Sequence, residues 1–66
     1  MRFSKNLFQL RMEKGLKQQD IADGVGLSLR AYQYYERGQR EPTLSTLIAL
    51  ADFYGLTLDE LVGRKL

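Results

Sequence analysis

The chain contains no cysteine, no histidine and no tryptophan, and its only proline is Pro42. Without cysteine no disulfide staple is possible, and without Cys and His the common zinc ligand sets are excluded. The missing histidine also removes every catalytic pairing that needs an imidazole base. No apolar run approaches the roughly 18 residues of a membrane span, so no membrane partner is expected. The opening Met1-Arg2-Phe3-Ser4-Lys5-Asn6 lacks the apolar stretch of a secretory signal, and a cytoplasmic protein is the expectation. Sixty-six residues leave room for one domain, expected to span residues 1–66. A chain of this size buries only about 60% of its unfolded surface. With neither staple nor metal, its stability must come from packing of its own elements or from a partner.

Charge is present but unevenly spread. Within residues 1–17, Arg2, Lys5, Arg11, Lys14 and Lys17 oppose Glu13 alone, a local net charge of +4. Asp20 and Asp23 make residues 18–27 −2. Arg30, Arg37 and Arg40 against Glu36 and Glu41 make residues 28–41 +1, and Asp52, Asp59 and Glu60 make residues 42–63 −3. A chain whose cations are segregated in this way can present one basic face, which suits a polyanion, with nucleic acid the leading candidate.

Apolar residues recur at spacings of three and four, at Phe3, Leu7 and Leu10 and again at Leu44, Leu47, Leu50, Ala51 and Tyr54. No stretch alternates long enough to argue for a strand. Glycines 15, 38, 55 and 63 each follow a periodic segment, as helix stops do. Ser4, Ser28, Thr43 and Thr57 stand where side-chain oxygens can cap free amides, and Thr57 with Glu60 completes a capping box. The pattern predicts an all-α domain of five helices, over about Ser4–Lys14, Gln18–Val25, Leu29–Arg37, Leu44–Tyr54 and Leu58–Val62. In the second helix Gly24 costs about 1 kcal/mol relative to alanine.

Two of these helices form the informative segment, from Gln18 to Glu36. Ala22 is small where the second of the pair must cross close over the first. Gly26 sits where the chain reverses, a position that favours positive φ. Ile21, Val25, Leu27, Tyr32 and Tyr35 supply the apolar wedge. Such a pair holds its second helix outward, as in a helix-turn-helix.

At these residues the chain resembles the Cro- and phage-repressor-type, XRE-like helix-turn-helix domains. The resemblance runs from about Phe3 to Val62. It is carried by Leu10-Arg11, Gly15-Leu16, Gln18, Ile21-Ala22, Val25-Gly26, Leu27-Ser28, Glu36-Arg37-Gly38, Pro42-Thr43-Leu44, Leu47, Leu50-Ala51, Tyr54-Gly55-Leu56 and Leu58-Asp59-Glu60-Leu61, all in register. It departs at Lys17, where a Thr or Ser cap is usual, at Gly24, and at Tyr32 and Tyr35, which stand at positions more often aliphatic. The resemblance implies a compact five-helix lambda-repressor-like fold with helices 2 and 3 as the helix-turn-helix. It further implies a third helix in the major groove of double-stranded DNA.

Carried onto this chain, the base-reading residues are Leu29, Arg30, Gln33 and Tyr34. Arg30 suits guanine, Gln33 suits adenine, and Leu29 suits a thymine methyl. Phosphate contacts fall to Gln18, Ser28, Arg37 and Arg40, with Lys17 and Lys5 as outer candidates. Arg11 and Glu36 match the pair that bridges the first and third helices. For each long cation, the plain alternative is a solvated surface charge.

The function this implies is a transcriptional regulator, prokaryotic or phage-encoded, acting as a repressor on an operator. A protein-interaction module of the same fold is the alternative, and an antitoxin or restriction-modification controller would use the same domain for autoregulation. An enzyme is not expected, since no side chain offers more than an exposed carboxylate for acid–base work. No cofactor, metal or small-molecule ligand is expected. A homodimer is expected, because one short helix reads too few bases. Its surface must lie away from the third helix. On the fourth helix Leu44, Leu47, Leu50, Ala51 and Tyr54 form a stripe expected to be core, and Phe53 points away from it. Phe53, Val62 and Leu66 are therefore the candidate interface.

Overall fold

Helix boundaries in this chain follow the side chains that close each end. The computed structural model describes residues 3–63. It holds five helices: α1 (Phe3–Lys14), α2 (Gln18–Val25), α3 (Leu29–Glu36), α4 (Leu44–Tyr54) and α5 (Leu58–Val62). Ser28, Thr43 and Thr57 cap α3, α4 and α5, accepting from the amides of Ala31, Thr46 and Glu60. Glu60 closes the expected box, its carboxylate accepting from the Thr57 amide at 3.0 Å. Gly15, Gly38, Gly55 and Gly63 all take the left-handed conformation.

Three expectations need correction. Ser4 does not cap α1, because the helix already includes Phe3. The Phe3 ring is only 1% exposed, and seating it in the core carries the helix back past Ser4. α3 stops at Glu36, with Arg37 as its cap residue rather than its last helical one. Leu44 is 64% exposed and not core. It is the first helical residue of α4, and the neighbours of that helix, α2 and α5, bury Leu50 and Ala51 further along.

The core is Phe3, Leu7, Ile21, Ala22, Tyr32, Leu50, Ala51 and Leu61, drawn from all five helices. Burying each large apolar side chain contributes about 1.5–3 kcal/mol, which is how so short a chain offsets its ordering entropy. α1 packs on α3 and α5, α2 on α3 and α4, and α4 on α5. Asn6 ties α1 to the end of α5, its Nδ2 donating to the carbonyls of Leu61 (2.6 Å) and Glu60 (3.0 Å). Both carbonyls lie in the last turn of α5, where that of Glu60 also accepts from the Gly63 amide at 3.3 Å.

Gly24 gains a structural reason. The Phe53 ring lies where a β-carbon at Gly24 would stand, so no side chain fits without moving it. The propensity cost of glycine is thereby offset by contact between α2 and α4. No helix among the described residues is long and apolar enough to cross a membrane.

Candidate nucleic-acid interface

The α2–turn–α3 unit is set by a few local constraints. The residue that caps α2 is Lys17, whose ammonium cannot accept a hydrogen bond. Asp20 compensates from the other side, its carboxylate accepting from the Lys17 amide at 2.9 Å. At the turn Gly26 adopts φ 75°, and the Leu27 amide then donates back to the Ala22 carbonyl at 2.8 Å. Ala22 is fully buried at the crossing, and Tyr32 is buried beneath α3. These contacts hold one face of α3 inward and leave the other to solvent.

On that outer face Arg30 is exposed, and Leu29, Gln33 and Tyr34 are half-buried. Lys17, Ser28, Arg37 and Arg40 are exposed, as is Lys5 on α1, while Gln18 is half-buried. Tyr34 stands between two arginines. Its hydroxyl accepts from Arg30 Nε at 2.9 Å, and the Arg40 guanidinium lies over its ring, 4.6 Å from the centroid. Cation–π attraction thus places a loop arginine beside a helix arginine despite their like charge. Spacing of i to i+4 makes the Arg30–Tyr34 contact legible in the sequence. Arg40 over Tyr34 depends on the path of the loop, and no sequence signal points to it.

Behind this face lies a hydrogen-bond chain joining three helices. Arg11 on α1 meets Glu36 at the end of α3 in a two-pronged pair, Nε to Oε2 at 2.9 Å and Nη2 to Oε1 at 2.7 Å. The side chains are 14% and 6% exposed, so the pair is largely withdrawn from water. Arg11 Nη1 also donates to the Leu16 carbonyl at 3.1 Å. Gln18 Nε2 on α2 donates to Glu36 Oε1 at 3.2 Å, and Gln33 Nε2 donates to Gln18 Oε1 at 3.0 Å. From the sequence, Gln18 and Gln33 are expected to face DNA separately; in the fold their side chains also meet each other, a contact that no spacing signals. Burial raises the Glu36 pKa, but the hydrogen bonds led by that from Arg11 outweigh it and hold the carboxyl below its ordinary value. The same hydrogen bond raises Arg11 against the opposing effect of burial.

Two tyrosines close the rear of this chain. The Tyr32 and Tyr54 hydroxyls are buried without a hydrogen-bond partner. Burial first, and the nearby Glu36 charge second, push Tyr54 up to about 12; burial dominates the rise at Tyr32 also. An unfolded tyrosine ionises near 10, so above that pH the unfolded chain releases protons the folded one keeps. Stability from this source is full below about pH 10 and is lost as pH rises toward 12. Tyr54→Phe should therefore leave the melting temperature at pH 7 nearly unchanged and reduce its fall between pH 10 and 12. Melts across that range check it, and an undiminished alkaline fall would contradict the burial of this hydroxyl.

The residues expected at a dimer surface fare unequally. Phe53 is 38% exposed, with its ring against Gly24 and edge-on to Tyr54 at 5.1 Å. Val62 is half-buried and packs on the core, while Leu66 lies outside the described residues.

A family model described as helix-turn-helix matches residues 7–61. The chain belongs to that helix-turn-helix family. It is 42% identical over 61 residues to the cryptic phage CTXphi transcriptional repressor RstR of Vibrio cholerae, covering 92% of this chain and 55% of that one. It thus spans about half the length of that curated relative. A crystal structure of a transcriptional regulator from Listeria innocua superposes with a TM-score of 0.88 at 39% identity, covering 97% of this chain and 60% of the other. The restriction-modification controller protein C.AhdI from Aeromonas hydrophila matches with a TM-score of 0.85 and 35% identity, over 91% of each chain. The all-helical helix-turn-helix fold inferred from the residues is therefore the fold of the family, and Gln18 to Glu36 lies wholly inside the matched segment.

Proposed function

We propose that this helix-turn-helix chain is a sequence-specific, double-stranded-DNA-binding transcriptional regulator of the repressor type, acting in the cytoplasm through α3 in the major groove. One observation carries the reading. Arg30, Arg37 and Arg40 are all exposed on or beside the outer face of α3, while Glu36, the acidic residue of that helix, is turned inward onto Arg11. An interaction module built on the same fold would carry apolar or acidic groups there. Selection of binding sites from a random duplex library tests it: recovery of a motif is expected, and recovery of nothing favours the interaction module.

Roles divide by contact type. Arg30 and Gln33 read base edges, Leu29 covers a thymine methyl, and Gln18, Ser28, Arg37, Arg40 and Lys17 hold phosphates. Tyr34 acts chiefly by holding Arg30 and Arg40. Arg30→Ala should cost about 1–3 kcal/mol at one position of the site, whereas Arg40→Ala should weaken all sequences evenly. Tyr34→Phe keeps the ring under Arg40 and loses the acceptor for Arg30, so only the preference at the Arg30 position should fall. Binding assays on single-base variants of the selected motif separate these outcomes, and an even loss from Tyr34→Phe would make its hydroxyl a phosphate contact instead.

The regulator is proposed to act as a homodimer on two half-sites, since the eight residues of α3 span too little groove alone. The exposed rim of Phe53 on α4 supports an interface there. Light scattering over a concentration series, on and off DNA, with Phe53→Asp alongside, tests this. A monomer under every condition removes the dimer.

A further inference from the structure

The chain Arg11–Glu36–Gln18–Gln33 has a direction. An ionised carboxylate can only accept hydrogen bonds. The Gln18 amide must therefore turn its nitrogen toward Glu36, as observed at 3.2 Å, and this leaves its oxygen facing α3. That oxygen can only accept, so Gln33 must turn its own nitrogen inward, as observed at 3.0 Å. A flipped Gln33 would set two amide oxygens against each other. With one N–H committed to Gln18, Gln33 keeps its oxygen and its second N–H for the groove, in one fixed order. Recognition of adenine by an amide needs that pair in a fixed order, the oxygen on the exocyclic amine and the N–H on N7.

We propose that Glu36 is a positioning residue for base recognition, setting the donor–acceptor order of Gln33 through the Gln18 amide. The inference rests on the DNA-binding reading above. It gives the ion pair a second consequence: Arg11 holds the carboxylate that orients Gln18, and Gln18 transmits the orientation from the rear of the domain to its reading face. A glutamine at 36 can present either its oxygen or its nitrogen, so the order would no longer be enforced.

The test is a double-mutant cycle on binding to the selected motif and to motifs changed at the base pair that Gln33 contacts. Glu36→Gln should lower discrimination at that base pair about tenfold and leave the other positions unchanged. Gln18→Met, which leaves the Arg11–Glu36 pair intact, should lower it similarly, alongside an even loss on every sequence from its own phosphate contact. In a Gln33→Leu background neither change should alter discrimination there, because no amide remains to be ordered. Circular-dichroism melts accompany each variant, and Gln18→Met decides the matter should Glu36→Gln fail to fold. If Gln33→Leu abolishes the preference while Glu36→Gln and Gln18→Met leave it intact, or if their effect spreads evenly over all positions, the relay is overturned and DNA binding stands. If the unaltered chain shows no preference for any duplex, the DNA-binding reading itself fails.

Discussion

Replacing Glu36 with alanine is expected to cost about 3–5 kcal/mol of folding stability, because it leaves a withdrawn guanidinium without its counter-charge. The carboxylate is 6% exposed and its partner 14%, far from the solvated geometry in which an ion pair contributes almost nothing. Arg11 would retain the Leu16 carbonyl and the Phe8 ring, 5.4 Å from its guanidinium, but no counter-charge, and Gln18 would lose its acceptor. A domain of this length has roughly 3–10 kcal/mol in total, so the variant should stand at the edge of unfolding. At about 4–8 °C per kcal/mol, the melting temperature should fall by about 12 °C or more. Arg11→Met should be comparably damaging, since it buries an unpaired carboxylate. Replacing both by apolar residues of similar volume should recover much of the loss, as the desolvation cost of both charges then disappears. The same group sets an acid limit. Its folded pKa lies below the ordinary 4.5, so its contribution is present above that pH and is lost as pH falls through the folded value. Unchanged melting in both single variants would show that the pair gives no net brace.

Much of the fold was legible because its determinants are local. Caps at Ser28, Thr43 and Thr57, the box closed by Glu60, and the turn at Gly26 are fixed by residues at most five apart, so spacing alone located all five helices. The failures have a common cause. Leu44 lies on the apolar stripe of α4, but a stripe says nothing about how far along the helix its neighbours reach. Phe53 lies off that stripe, and its contact with the bare backbone of Gly24 on α2, between residues 29 apart in sequence, is likewise one that spacing does not show. At the site, residue types and outward positions were readable from the resemblance, whereas the contacts linking them were not. Gln33 meets Gln18, and Arg40 meets Tyr34, only because of how the helices cross and how the loop returns. Side chains read singly as DNA contacts are therefore organised in two groups: an arginine–tyrosine–arginine cluster on the surface and an amide relay behind it.

Salt should weaken DNA binding steeply, and the slope should report how many cations reach phosphates. Arg37, Arg40, Lys17 and Lys5 are exposed basic residues, so four contacts give a slope of log K against log salt of about −3.6 per chain. Raising salt from about 50 to 200 mM should then lower affinity roughly 150-fold. Ser28 and Gln18 can hold phosphate oxygens, but as neutral groups they displace no counterion and should not enter the slope. Arg40→Ala should flatten it by about 0.9 and leave base preferences intact. Lys5 is the discriminating residue, since it stands on α1, outside the helix-turn-helix. A slope unchanged by Lys5→Ala would confine the electrostatic footprint to α2, α3 and the following loop, and Lys5 would be a solvated charge. The acidic residues Asp52, Asp59 and Glu60 lie on α4 and α5, but Asp20 and Asp23 lie on α2, so the helix-turn-helix carries acidic charge of its own beside its cations. A flat response to salt would contradict docking through this face, whatever motif the selection returned.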